Sequence, residues 1–145
     1  MNQLGHLGRR FAGSLSRREP DVADTAWVDS QLLEAESQLW HRMSAADRRH
    51  SIAVARRFEG LGPWSREEVA GALLHDVGKV DAGLGTMARV AATIVGPRTA
   101  RFRRYHDHER IGAELLAVAG SSHVTIELVL GRGRAASALT DADNI

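Results

Sequence analysis

No cysteine occurs anywhere in the 145 residues. That absence excludes a disulfide scaffold and thiolate metal sites, and it agrees with a reducing compartment. Proline appears three times and aromatic residues make up 5% of the chain, a scarcity of helix breakers and strand formers that favours an α-rich fold. The longest apolar stretches, Met87 to Gly96 and Ala113 to Gly120, fall far short of the ~20 residues that span a bilayer. Arg9, Arg10, Arg17 and Arg18 flank a short apolar patch that lacks the continuous core of a signal peptide. The expectation is a cytoplasmic protein without a membrane partner. A net charge of +1 sets up no global field, so no nucleic-acid partner is expected either. Lysine is nearly absent too: every basic residue is arginine except Lys79.

What is there fits one globular domain, with 43% hydrophobic and 26% charged residues. Residues 1–20, rich in Gly, Ser and Arg, read as a flexible arm, and 21–145 as a single helical domain. Apolar spacing predicts a helix from Asp24 to about Arg42. Ser44 with Asp47 opens the next, stopped by Gly60-Leu-Gly-Pro63. Ser65-Arg-Glu-Glu68 is a capping box for a helix that carries His75 and Asp76 in its last turn, with Gly78 ending it in a left-handed conformation. Ala82-Gly-Leu-Gly85 reads as a loop, and helices are predicted over Met87 to Val95 and His108 to Ala119. Ser121 or Ser122 caps an apolar segment, Val124 to Leu130, the one place where a strand is arguable. A last helix runs from Ala135 to the end. The fold class is all-α, a compact bundle of about six to seven helices.

The chemistry gathers at Leu74-His-Asp-Val-Gly-Lys79. An imidazole and a carboxylate suit Mn, Fe, Co, Ni or Zn, with Mg an option where oxygen ligands dominate, and the lone lysine stands beside them. His50, on the preceding helix, can face this helix end if the two helices pair. Leu139-Thr-Asp-Ala-Asp143 places two acids, Asp141 and Asp143, on the last helix. His6, His41 and His123 read as surface or packing residues, and Trp27, Trp40 and Trp64 as packing anchors.

A histidine on one helix, a His-Asp doublet closing the next and a late aspartate in an Ala-Asp pair resemble the HD superfamily of metal-dependent phosphohydrolases. The extended doublet is the most specific element, and His108-Glu-Arg-Ile-Gly-Ala-Glu-Leu-Leu116 is similar to a later helix in many members. The match covers roughly Ser44 to Asn144. The resemblance implies a helical bundle of the HD type in which His50, His75, Asp76 and Asp143 hold one divalent metal. Asp143 is preferred to Asp141 because the family acid follows a small residue in a Leu-x-x-Ala-Asp pattern. It further implies that Asp76 orients the attacking water, and that Lys79 and arginines from 98 to 104 neutralise phosphate charge. His108 stands where some members bind a second metal or touch phosphate, with His106 a weaker candidate. The further histidine of two-metal members has no counterpart beyond His123, so one metal is expected. The implied activity is hydrolysis of a phosphomonoester or nucleotide-like phosphoester. The alternative is a catalytically weak metal- or nucleotide-binding regulatory module. The substrate and the oligomeric state are not readable from the chain.

Overall fold

Capping and core burial divide the chain into short helices. The computed structural model describes residues 17–83 and 100–145; the expected helix over Met87 to Val95 and most of the 1–20 arm lie outside the described residues. α1 (Val22–Gln31) starts at Asp21, whose Oδ1 accepts from the Ala23 N–H at 2.8 Å. α2 (Glu34–His41) follows directly. The single helix predicted from Asp24 to Arg42 is therefore two, broken at Leu32 and Leu33, both in extended conformation. Local polar groups satisfy the break: Glu36 Oε1 accepts the Leu33 N–H at 2.8 Å, and Arg66 Nη1 donates to the Gln31 carbonyl at 2.7 Å. Leu32 turns into the core at the same point.

α3 (Ala45–Glu59) is capped by Ser44, whose Oγ accepts from the Asp47 N–H, and it ends at Gly60. α4 (Arg66–Leu73) begins with the capping box of Ser65 and Glu68. A turn at Leu74–Asp76 leads into a 3-10 helix, Val77–Gly83, where a loop from Ala82 was expected. α5 (Ala100–Ala119) starts earlier than His108 and takes in Arg101, Arg103 and Arg104; it ends at Gly120, which has φ +83°. The segment at Val124 is helical: α6 (His123–Val129) is capped by Ser122. α7 (Ala136–Asp143) closes the order. Among the described residues there are seven α-helices, one 3-10 helix and no strand.

α4 lies between α3 and α6, α7 packs along α3, and α5 packs on the 3-10 helix and α6. The shared core holds Val28, Trp40, Val54, Phe58, Leu73, Leu74, Val77 and Leu116, all fully buried. Burial of these side chains, at about 1.5–3 kcal/mol each, is the main force holding the bundle. Trp40 Nε1 donates to Ser51 Oγ at 2.9 Å and Trp64 Nε1 to the Phe58 carbonyl at 2.7 Å, so both indoles are satisfied within the packing. Buried Glu36 also accepts from Ser121 Oγ at 2.7 Å, tying α2 to the α5–α6 corner. Ahead of α1, Glu19 receives Arg48 Nη1 at 2.6 Å, which lays residues 17–20 against α3. Among the described residues no helix is long and apolar enough to cross a membrane.

Gly78 is not left-handed: among the described residues the glycines with positive φ are Gly120, Gly131 and Gly133. Its role is close approach. A Cβ at Gly78 would stand 2.8 Å from the His108 carbonyl carbon and 3.0 Å from the Gly112 nitrogen, so the backbones of the 3-10 helix and α5 touch there.

Candidate metal centre

Two helix ends and one helix face meet at His75. α4 stops at Leu73, because Leu74 leaves helical geometry while its N–H still bonds the Ala70 carbonyl. His75 and Asp76 therefore stand in the turn just beyond the helix rather than in its last turn. His75 Nδ1 donates to the Ala72 carbonyl at 2.7 Å, filling one of the acceptors that a helix C-terminus leaves open. That bond places the remaining proton on Nδ1 and leaves Nε2 with its lone pair. The buried Nε2 has no hydrogen-bond partner among the described residues.

Two other elements aim polar atoms at this nitrogen. His50 lies on α3 beside the buried Ser51 and Ile52, and its ring centroid is 5.9 Å from that of His75. Asp143, the last residue of α7, is 2.9 Å from His50 Nε2 and 3.5 Å from His75 Nε2 through the same oxygen, Oδ1. One nitrogen or oxygen from each of His50, His75 and Asp143 lies within 4.8 Å of the others. Asp143 rather than Asp141 faces the histidines; Asp141 is exposed.

The electrostatics follow from this proximity. Hydrogen bonding to His50 and the contact with His75 hold the Asp143 carboxyl far below the usual carboxylate range, against the opposing effect of burial. For His75, burial disfavours the imidazolium, but Asp143, the charge of Asp76 and the Ala72 carbonyl together outweigh it and raise the pKa above 6.5.

The donor set fits a divalent ion. Two imidazole nitrogens and a carboxylate oxygen are the ligands of borderline transition metals. Ligands about 2.1 Å from an ion and 90–109° apart stand roughly 3.0–3.4 Å from each other. The contacts of 2.9 and 3.5 Å at Asp143 Oδ1 bracket that span. A buried nitrogen without a partner is costly in a polar cluster, and coordination would satisfy it.

The other expected site residues are placed around this group with different degrees of closeness. Asp76 Oδ2 is 3.4 Å from His75 Nε2 and 3.2 Å from Lys79 Nζ, so the doublet and the lone lysine do meet. Asp76 is a neighbour of the three-residue group and turns one oxygen to Lys79. His108 sits on α5 where that helix touches Gly78; its Nδ1 is buried without a partner among the described residues, and it is not part of the group. His123 is exposed. Arg98 lies outside the described residues, and Arg101, Arg103, Arg104 and His106 are carried on the first half of α5. Sequence reasoning passed over Arg57, whose Nε donates to the Ala142 carbonyl at 2.7 Å, one residue before Asp143. The only signal for it was a spacing of seven from His50.

Comparison of the chain with family models, with curated proteins and with solved structures returns no match.

Proposed function

We propose that this chain is an HD-type, divalent-metal-dependent phosphohydrolase acting on a phosphomonoester or nucleotide-like phosphoester. The observation that carries the reading is the convergence of His50 Nε2, His75 Nε2 and Asp143 Oδ1, with the buried His75 nitrogen lacking a hydrogen-bond partner among the described residues. These three residues would hold the ion, with Asp76 the fourth candidate beside them. A bound divalent ion supplies Lewis acidity toward a phosphoryl oxygen and lowers the pKa of water at its open positions. Asp76 offers a carboxylate oxygen that orients a water and accepts its proton. Lys79, held to Asp76 at 3.2 Å and 42% exposed, reaches toward solvent and neutralises phosphate charge. His108 is a donor or acceptor available from α5.

The test is turnover by the full chain loaded with Mn, Co, Ni or Mg on a panel of phosphomonoesters and nucleotides. Asp76→Ala is expected to abolish turnover while leaving helicity intact. A protein that takes up none of these ions, and is inert with all of them, sinks the reading.

A regulatory module that binds metal or nucleotide with little chemistry is the second reading. It is favoured by the position of His108 outside the ligand group and by the exposure of His123, which leave a second ion without an assembled donor set among the described residues. Thermal stabilisation by nucleotide without product supports it, and steady turnover excludes it.

A further inference from the structure

α7 is eight residues long, and its last residue carries the Asp143 carboxylate. The final turn of such a helix has carbonyls without intrahelical partners, and it frays unless other groups hold it. Ala142 is fully buried, so water is poorly placed to satisfy its carbonyl. Arg57 Nε supplies the donor, at 2.7 Å. Arg57 stands two turns beyond His50 on α3, and residues spaced by seven share a helix face. The face that presents His50 thus also grips the peptide next to Asp143.

We propose that Arg57 is a positioning residue for the metal centre: it ties the end of α7 to α3 and so fixes the Asp143 carboxylate against His50. This rests on His50, His75 and Asp143 being the ligands. α3 then contributes one ligand directly and clamps a second, so their separation is set by one rigid element. Without the clamp the last turn of α7 samples other conformations, and re-ordering it on binding opposes ion uptake.

The experiment is a Co(II) titration of the full chain, followed by calorimetry and by the visible d–d absorption, with circular dichroism of every variant. Arg57→Met keeps most of the aliphatic stem and removes the donor. Arg57→Gln restores an N–H donor at the same number of bonds from the backbone, without the charge. Asp143→Ala serves as the ligand control. Arg57→Met is expected to weaken Co(II) binding about tenfold or more, the range found for groups that orient ligands, with helicity retained. Arg57→Gln is expected to recover most of that affinity, and it carries the test if the Met variant does not fold. If Arg57→Met binds as wild type while Asp143→Ala does not bind, the clamp is overturned and the ligand assignment stands. If Arg57→Gln falls as far as Arg57→Met, the donor is irrelevant and the proposal fails. If the wild type takes up no Co(II), or Asp143→Ala binds as well as wild type, the ligand assignment fails and the clamp with it.

Discussion

The backbone of Gly78 lies directly beneath the carbonyl of His108, so close that a Cβ there would stand 2.8 Å from the carbonyl carbon. The obstacle is backbone, which cannot swing aside. Gly78→Ala must therefore separate the 3-10 helix from α5, and we expect a loss of about 2–3 kcal/mol, the upper range for overpacking. For a chain of this size that is a melting temperature lower by roughly 4–12 °C. Gly60→Ala is the contrast: its nearest contact would be 3.5 Å, at helical φ, and it should be neutral or stabilising by up to about 1 kcal/mol. Thermal melts of the two variants check the ranking, and equal melting temperatures would contradict the close-approach account.

Ion binding should stabilise the protein in proportion to concentration. At an excess of 100 times the dissociation constant, linkage gives about 2.7 kcal/mol, or roughly 5–11 °C here. His75→Ala is expected to remove this shift, because it deletes the ligand nitrogen of the group that is buried without a hydrogen-bond partner among the described residues. Differential scanning with Mn, Co, Ni and Zn measures it. A His75→Ala protein that still gains the full shift would place the ion elsewhere.

Ion uptake should also expel protons. In the metal-free protein His50 Nε2 is hydrogen-bonded to Asp143 Oδ1 at 2.9 Å, and the His75 pKa is raised. Both histidines must be deprotonated to bind. Binding heats measured at pH 7 in buffers of different ionisation enthalpy should differ, in the sense of net proton release. Affinity should fall as pH drops through the raised pKa of His75, a window that begins above the 6.5 of an ordinary imidazole. Heats independent of buffer would mean that these nitrogens are not the donors.

Much of the scaffold was legible because it is written in local chemistry. Ser44, Ser65 and Ser122 cap helices where the pattern put them, and the glycines at 60 and 120 end helices as anticipated. The break at Leu32–Leu33 was not legible, since it depends on Arg66 and Glu36 arriving from elsewhere to satisfy the open backbone groups. Gly78 was misread for a related reason: a glycine needed for close approach looks the same in sequence as one needed for positive φ. At the site, His50, His75 and Asp143 had motif-like spacing and do lie together. Arg57 acts through a carbonyl 85 residues away, and no local pattern announces such a contact.

Glu68 offers a stability test away from the site. Its carboxylate accepts from the Ser65 N–H at 3.0 Å, from Ser65 Oγ at 3.1 Å and from Arg134 Nη2 at 2.7 Å. Burial pushes its pKa up, but these donors outweigh it and hold the value below 4.5. A group whose folded pKa is depressed contributes stability above its unfolded value and loses it as pH falls through the folded value. Glu68→Gln keeps an acceptor oxygen and removes the charge, so it should cost about 1–2 kcal/mol at pH 7, within the range for charge-assisted bonds. Because Gln does not titrate, the gap between the two proteins should close as pH falls below about 4, when the wild-type carboxylate protonates. Urea titrations at pH 7, 5 and 3.5 follow the gap directly. A gap of the same size at all three would mean that shape, rather than the charge of Glu68, holds Ser65 and Arg134 in place.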